Sequence, residues 1–375
     1  MIEKRGSKLL KYADRYLGLL VLLLISFGLR MKRMLFPAKP STSGTILLVC
    51  FGAIGDLIVL TIAACQILAG RKVYLACSKL NYPCTKLYED FYASVSVVDI
   101  RNPFSLLKVC RQFHISQIID STQWANIGPI QTGIATFLSS DVCSIGFKTD
   151  SAIRNSTYDL VIDHLGTIHE VANFMNLMSG HLIIDNNSQL SNLLPKLYQA
   201  KSCSPSRKVL LHMWPSGNRS YLKTWPSAYW EKLAQYLVAA GYSVYLSGAP
   251  GDEARTSDFI NSTGLPLVNL AGSLDLISLR SFLSEDIEFA VSVNTGILHL
   301  LVDAGVPVIG LHGGVNPERW GPLGANAISL LPLSGKSAYL NYGFEYPESD
   351  EEAYSLDKLT VEQVIEAIEK LRAKG

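Results

Sequence analysis

Four short segments of this 375-residue chain set ionisable or hydroxyl side chains beside glycines, at spacings that suit work on an anionic ligand. In Gly52-Ala53-Ile54-Gly55-Asp56 the two glycines permit a tight turn with close backbone approach, and the acid falls at the start of a helix-like run. A positive helix end keeps such a carboxylate ionised, which suits catalysis; an ordinary N-capping Asp reads the same way. The spacing is not G-x-G-x-x-G and does not by itself announce a dinucleotide site. In the run Trp214 to Pro226, Ser216 and Gly217 precede Arg219 and Lys223, a mixture of backbone donors and cations that fits a phosphate cradle and equally a solvated loop. Asn294-Thr295-Gly296-Ile297-Leu298-His299 opens another helix: Thr295 and Gly296 offer N–H groups and a hydroxyl to a diphosphate, and His299 falls in the first turn, facing the same point. The fourth segment, Gly310 to Pro322, is dense in Gly and Pro and suits the wall of a pocket.

Buried parallel strands would position all four. ILLVC at 46–50 is a continuous apolar run, and strand-like and helix-like stretches alternate after it: helix 56–68, strands 72–76 and 95–98, helix 103–113, strand 117–120. A polar, irregular segment over 185–207 separates this series from a second one, with strands at 209–212, 243–246, 267–270, 289–293 and 306–311. Ser227 stands where an N-cap is expected, before a helix that Gly241 ends. The fold class is therefore α/β, with two Rossmann-like domains in tandem facing a cleft, since open parallel sheets bind ligands at the carboxyl ends of their strands.

These segments, in this order, resemble glycosyltransferase family 9, the heptosyltransferase family of bacterial lipopolysaccharide assembly. Its members pair a G-x-x-G-D loop with a Lys-x-Trp-Pro loop, an N-L-x-G turn, a D-[ST]-G-x-x-H turn and a Gly/Pro-rich loop. Here stand Gly52 to Asp56, Lys223 to Pro226, Asn269 to Gly272, Asn294 to His299 and Gly313 to Pro322, so the likeness covers about residues 45–325. Ile168-His169-Glu170 also looks like the family's segment late in the first domain. The resemblance implies a GT-B fold, no obligatory metal or cofactor, and inversion at the anomeric carbon by single displacement. It implies Asp56 as general base, Gly52 and Gly55 in the acceptor-side loop, and Ser216, Gly217, Lys223, Asn294, Thr295, Gly296 and His299 at the donor diphosphate. Asp252 and Glu253 lie where a ribose would be met. ADP-heptose or a similar nucleotide sugar would be the donor and a glycan or lipid-linked saccharide the acceptor. One departure is Asn294, where the family usually has Asp, which alters the charge beside the sugar diphosphate. The implied organisation is a basic membrane-associating segment and linker over 1–43, an acceptor domain over 44–190, a nucleotide-sugar domain over 206–345, and a tail with a helix over 346–375.

The net charge of +1 hides an asymmetry. Residues 1–40 carry nine Lys or Arg against Glu3 and Asp14, which leaves 24 basic and 30 acidic residues elsewhere, of the chain's 33 and 32. A body of that sign is a poor nucleic-acid binder, whereas the arm suits an anionic surface. Within the arm, Tyr16 to Leu29 is one apolar run of fourteen residues between Arg15 and the cations Arg30, Lys32 and Arg33. As a helix it rises about 21 Å, short of the ~30 Å hydrocarbon core. An in-plane or re-entrant membrane helix, with the chain peripheral on the cytoplasmic face, fits better than a span, a core helix or a signal peptide. The seven cysteines include no C-x-x-C and no zinc spacing and read as reduced, mostly buried thiols. Two other classes compete. A dinucleotide enzyme would carry an acid at the end of the second strand, where Ala76-Cys77-Ser78-Lys79 has none; a catalytically silent, membrane-attached nucleotide-sugar binding protein would accommodate Asn294.

Overall fold

The computed structural model describes residues 8–36, 44–123, 125–193, 206–216, 220–332 and 355–373, with side chains from Tyr16 onward. The chain forms two compact units, Met1–Asn187 and Ser188–Gly375. Helix α1 (Lys8–Leu35) precedes the first sheet, whose strands are β1 (Ile46–Cys50), β2 (Val73–Cys77), β3 (Ser94–Val97), β4 (Gln117–Asp120), β5 (Cys143–Phe147) and β6 (Leu160–Ile162). The helices interleaved with them are α2 (Ile54–Ile67), α3 (Tyr82–Thr85), α4 (Ser105–Phe113), α5 (Ile127–Leu138) and α6 (Ala152–Asn155), followed by α7 (Glu170–Ser179) and α8 (Asn187–Ser191). All the strands are parallel, in the order β3-β2-β1-β4-β5-β6. Strands β1, β2 and β5 are buried along their whole length, as a sheet covered on both faces requires.

The second unit repeats the plan. Its elements run β7 (Lys208–His212), α9 (Ser227–Ala239), β8 (Ser243–Ser247), α10 (Glu253–Thr263), β9 (Val268–Asn269), α11 (Leu276–Asp286), β10 (Phe289–Val293), α12 (Gly296–Asp303), β11 (Val308–Leu311), α13 (Pro317–Trp320), β12 (Ala327–Leu330) and α14 (Val361–Arg372). The sheet order β12-β11-β10-β7-β8-β9 is the first sheet's order read from the other edge. In both, the order reverses direction between the first and fourth strands of the unit. That is the point at which α/β sheets open a crevice at their carboxyl ends. Leu356, Leu359, Val364 and Ile368 carry the last helix into the core formed by Trp225, Trp230, Leu211 and Val291. Trp225 and Trp230 meet edge to face at 4.8 Å.

Three strands escape the hydrophobic pattern. β5 contains Ser144 and Gly146, and a Cβ at Gly146 would lie 2.5 Å from the Tyr158 ring, so a small residue is needed where a strand pattern looks for an apolar one. β6 and β12 are short edge strands of mixed exposure. Ser227 is not the N-cap of its helix: Pro226 holds that position with extended backbone and Ser227 is the first helical residue. Gly241 does follow the end of that helix, with φ of +83°.

The N-terminal arm departs from its expected form. The apolar run is the middle of a 28-residue helix that packs on α5 and α6. Lys32 and Arg33, read from sequence as flanking cations for a membrane, turn into the protein instead. Lys32 Nζ donates to the carbonyls of Thr136 and Ser139, and its burial lowers its pKa. Arg33 pairs with Asp159 at 2.7 Å and donates to Ser156 O at 2.8 Å. The linker residues 37–43 lie outside the described residues, within which no helix is long and apolar enough to cross a membrane.

Candidate functional site

In the first unit the turn after β1 carries Gly52, Gly55 and Asp56 at the switch point of the sheet. Asp56, the third residue of α2, is half-buried, and its Oδ2 accepts the Ala53 N–H at 2.7 Å. The acid therefore caps its own helix, and the capping bond fixes the carboxylate over the strand end. Gly52 is required by contact: a Cβ there would lie 2.7 Å from Asp56 Cγ and 2.9 Å from Oδ2.

The neighbouring strand β4 ends in a second acid that no sequence motif marks. Asp120 is fully buried and accepts from the Thr122 N–H (2.9 Å), the Thr122 and Thr132 hydroxyls (2.5 and 3.0 Å) and the Tyr158 hydroxyl (2.8 Å). Burial pushes its pKa up, and the four hydrogen bonds oppose the rise. Three residues on, Gln123 Nε2 donates to Glu170 Oε2 at 2.9 Å, and His164 Nε2 lies 3.1 and 3.0 Å from the two Glu170 oxygens. The His164 and Glu170 side chains are 4% and 0% exposed. His169 caps α7, its Nδ1 accepting from the Val171 N–H at 3.1 Å. Only His169 and Glu170 were visible as a motif; Gln123 and His164 reach it from the ends of other strands.

In the second unit, the turn after β10 and the loop after β7 flank the equivalent switch point. Thr295 is the N-cap of α12, its hydroxyl accepting from the Ile297 N–H at 3.3 Å, and the first turn of that helix has no acid. Asn294 is buried, with Nδ2 donating to His312 Nδ1 at 3.2 Å and to Trp320 O at 3.0 Å. Its amide nitrogen thus ties the end of β10 to the loop after β11. His299 is buried with its ring 5.8 Å from Trp320, edge to face. Asn294, Thr295, Gly296 and His299 therefore share one corner with His312 and Trp320, both from the Gly310–Pro322 segment expected to wall the pocket.

Two tryptophans pin the loop after β7. Trp214 Nε1 donates to Thr256 Oγ1 at 2.8 Å with the Arg255 guanidinium 4.2 Å over its ring; Trp225 Nε1 donates to Leu359 O at 2.7 Å. Between them Ser216 is exposed and Lys223 is half-buried in the single helical turn Ser220–Lys223. Gly217, with Asn218 and Arg219, lies outside the described residues. His212, at the end of β7, is buried against Ser247 Oγ at 2.9 Å, and burial lowers its pKa to about 4, so the ring is neutral at pH 7. Asp252 holds the turn after β8: Oδ2 accepts the Ala249 N–H at 2.8 Å and Oδ1 pairs with Arg255. Gly272 has φ of +73°, and a Cβ on it would meet Pro250 Cα at 2.9 Å, which accounts for the glycine of Asn269-Leu270-Ala271-Gly272. Among the described residues no cluster of three or more His, Cys, Asp or Glu is placed to hold a metal ion.

A sequence model described as glycosyltransferase family 9 (heptosyltransferase) matches residues 134–342, more than half of the chain. The chain belongs to that family. The family match takes in the whole second-unit constellation and begins downstream of the Gly52–Asp56 turn. Lipooligosaccharide heptosyltransferase 2 of Haemophilus influenzae is 24% identical over 204 residues, 53% of this chain and 57% of that protein. The chain thus spans little more than half the length of this curated relative. Among solved structures, a family 9 glycosyltransferase from Veillonella parvula superposes with a TM-score of 0.65 at 17% identity, covering 90% of this chain and 99% of that one. The ADP-heptose lps heptosyltransferase II of E. coli gives 0.63 at 14% identity, covering 88% and 99%. At such identities the family fold is what is shared.

Proposed function

We propose that the chain is an inverting glycosyltransferase that moves a sugar, a heptose or a close relative, from a nucleoside-diphosphate donor such as ADP-heptose to a glycan or lipid-linked saccharide of the lipopolysaccharide type. Family membership supports the class of reaction. The observation that carries the assignment of roles is that both sheets place a predicted motif at the switch point, a carboxylate in one unit and an acid-free helix start in the other. Asp56 takes the proton of the acceptor hydroxyl as that oxygen attacks the anomeric carbon and the bond to the diphosphate breaks. Lys223 and the Thr295–Gly296 turn, with His299 behind it, stabilise the charge that develops on the departing nucleoside diphosphate. No bound metal is required in this scheme.

The deciding experiment compares wild type with Asp56→Asn for nucleoside-diphosphate release and sugar transfer, with nucleotide affinity measured separately by thermal shift. Transfer is expected to fall by at least two orders of magnitude while nucleotide stabilisation persists. Full transfer by the variant removes Asp56 from the mechanism. Comparing ADP, UDP and GDP in the same thermal assay identifies the base. The second reading, a silent nucleotide-sugar binding protein, is favoured by Asn294, whose amide is committed to His312 and Trp320. It predicts stabilisation by a nucleotide without release from any nucleotide sugar.

Lipid-linked acceptors sit in a membrane, and the basic arm suits attachment to the anionic inner face of the cell membrane. Deleting residues 1–40 is expected to abolish pelleting with anionic vesicles.

A further inference from the structure

Helix α1 has two apolar faces, and the first unit covers only one. Leu22, Ser26 and Leu29 are buried against the unit. Glycines allow the close fit: a Cβ at Gly28 would come within 3.1 Å of Phe137, and one at Gly133 of α5 within 2.6 Å of Ile25. Lys32 and Arg33 close the C-terminal end through the Thr136, Ser139 and Ser156 carbonyls and Asp159. On the opposite side Leu17, Leu20, Leu24, Phe27, Met31 and Met34 follow one another at alternating intervals of three and four, which aligns them along a single stripe. Each is between 48% and 80% exposed. Phe137 and Leu138 of α5 extend the bare apolar surface beside it. A contiguous apolar face of this size marks an interaction surface.

Two occupants come into question, a bilayer and a second copy of the chain. Charge decides between them. Lys4, Arg5, Lys8, Lys11 and Arg15 precede the stripe and the exposed Arg30 lies within its length, so a parallel pairing of two copies would bring like-charged arms together and an antiparallel one would leave those cations without the counter-charge a headgroup supplies. Anionic headgroups complement those cations, and the acyl region complements the stripe. A span is excluded by packing, because the inner face is already occupied.

We infer that α1 is an in-plane bilayer anchor fixed to the first unit, its Leu17–Met34 stripe inserted among lipid acyl chains and the cations that precede the stripe, with Arg30, at the headgroups. This rests on the membrane attachment proposed above and goes further, since the grip is apolar insertion and the helix does not leave the protein to make it.

The test uses the full chain with sedimenting vesicles of phosphatidylcholine, alone or with phosphatidylglycerol, at low and high salt. Wild type is expected to bind the anionic vesicles and to stay bound at high salt. The triple variant Leu20→Ser, Leu24→Ser, Phe27→Ser alters only exposed positions and is expected to partition at least tenfold more weakly with an unchanged melting temperature. Separately, Phe27→Trp should be quenched by brominated acyl chains. If salt strips wild type completely and the triple variant binds equally well, insertion is wrong and electrostatic attachment stands. If no vesicle binds wild type, both ideas fail. If wild type instead sediments as a dimer that the triple variant dissociates, the stripe is a self-association surface and the inference is overturned.

Discussion

Replacing Gly52 with Ala isolates the geometry of the proposed base. The backbone at Gly52 is not left-handed, so Ala brings no conformational strain and would, in open space, stabilise the fold by about 0.4–1 kcal/mol through the unfolded state. The space is not open, because the new methyl would sit 2.7 Å from Asp56 Cγ and 2.9 Å from its Cβ and Oδ2. Ordinary carbon contacts begin near ~3.5 Å, so the carboxylate must retreat by somewhat less than about 1 Å. That movement breaks the 2.7 Å bond to the Ala53 N–H, a cap worth about 0.5–2 kcal/mol. The two stability effects oppose each other and leave a net change between a gain of about 0.5 and a loss of about 1.6 kcal/mol. Catalysis has no such offset: a base misplaced by about 1 Å costs about a hundredfold. The assay is initial-rate nucleoside-diphosphate release in the presence of acceptor, alongside urea denaturation and nucleotide thermal shift. The signature is a rate collapse out of proportion to a small stability change, with nucleotide binding retained. If Gly52→Ala turns over like wild type, the contact with Asp56 does not position the reacting group and the role given to that acid fails.

Other outcomes follow from the buried polar groups. Glu170→Ala leaves His164 and Gln123 without their shared acceptor and should lower stability in urea by about 1–3 kcal/mol for each buried hydrogen bond left unmade, with Glu170→Gln losing less. Asn294→Asp puts a carboxylate oxygen 3.0 Å from Trp320 O in place of a donor, and the melting temperature should fall by the equivalent of about 1–3 kcal/mol. His212 has a folded pKa lowered to about 4, below the 6.5 of an exposed ring, so between those values only the unfolded chain takes up its proton. Stability should therefore be complete above pH 6.5 and decline as pH falls toward 4, by about 3 kcal/mol in all, and His212→Gln should remove that part of the slope.

The continuous apolar runs made the central strands legible, and β1, β4 and β10 begin and end where the pattern puts them. The motifs were legible for the same reason: each lies just past such a strand, where a glycine or a hydroxyl residue must turn the chain into a helix. What stayed hidden depends on side chains that meet from distant positions. Gln123, His164 and Glu170 converge from three different elements, and no spacing rule connects them. Asn294 stood out as a donor-site residue, but its amide partners, the ring of His312 and the carbonyl of Trp320, appear only once β10 and β11 are paired. Charge was legible as a total and misleading in detail, since the Lys32 and Arg33 side chains reach inward to α5 and the segment around α6.

The two switch-point turns differ in how their helices are capped, and that difference divides the proposed labour. Helix α2 receives its cap from a carboxylate in its own first turn, so the positive end of the helix is already compensated by Asp56. A second anion there would meet a negative group, which disfavours a diphosphate and leaves the carboxylate to act on a neutral hydroxyl. Helix α12 is capped by the Thr295 hydroxyl and carries no acid in its first turn, so the partial positive charge of its N-terminus is unspent. On the proposed function, the diphosphate would go to the second unit and the hydroxyl acceptor to the first. Exchanging the caps, with Thr295→Asp, should weaken nucleotide stabilisation more than Asp56→Asn does, and equal effects would break this assignment.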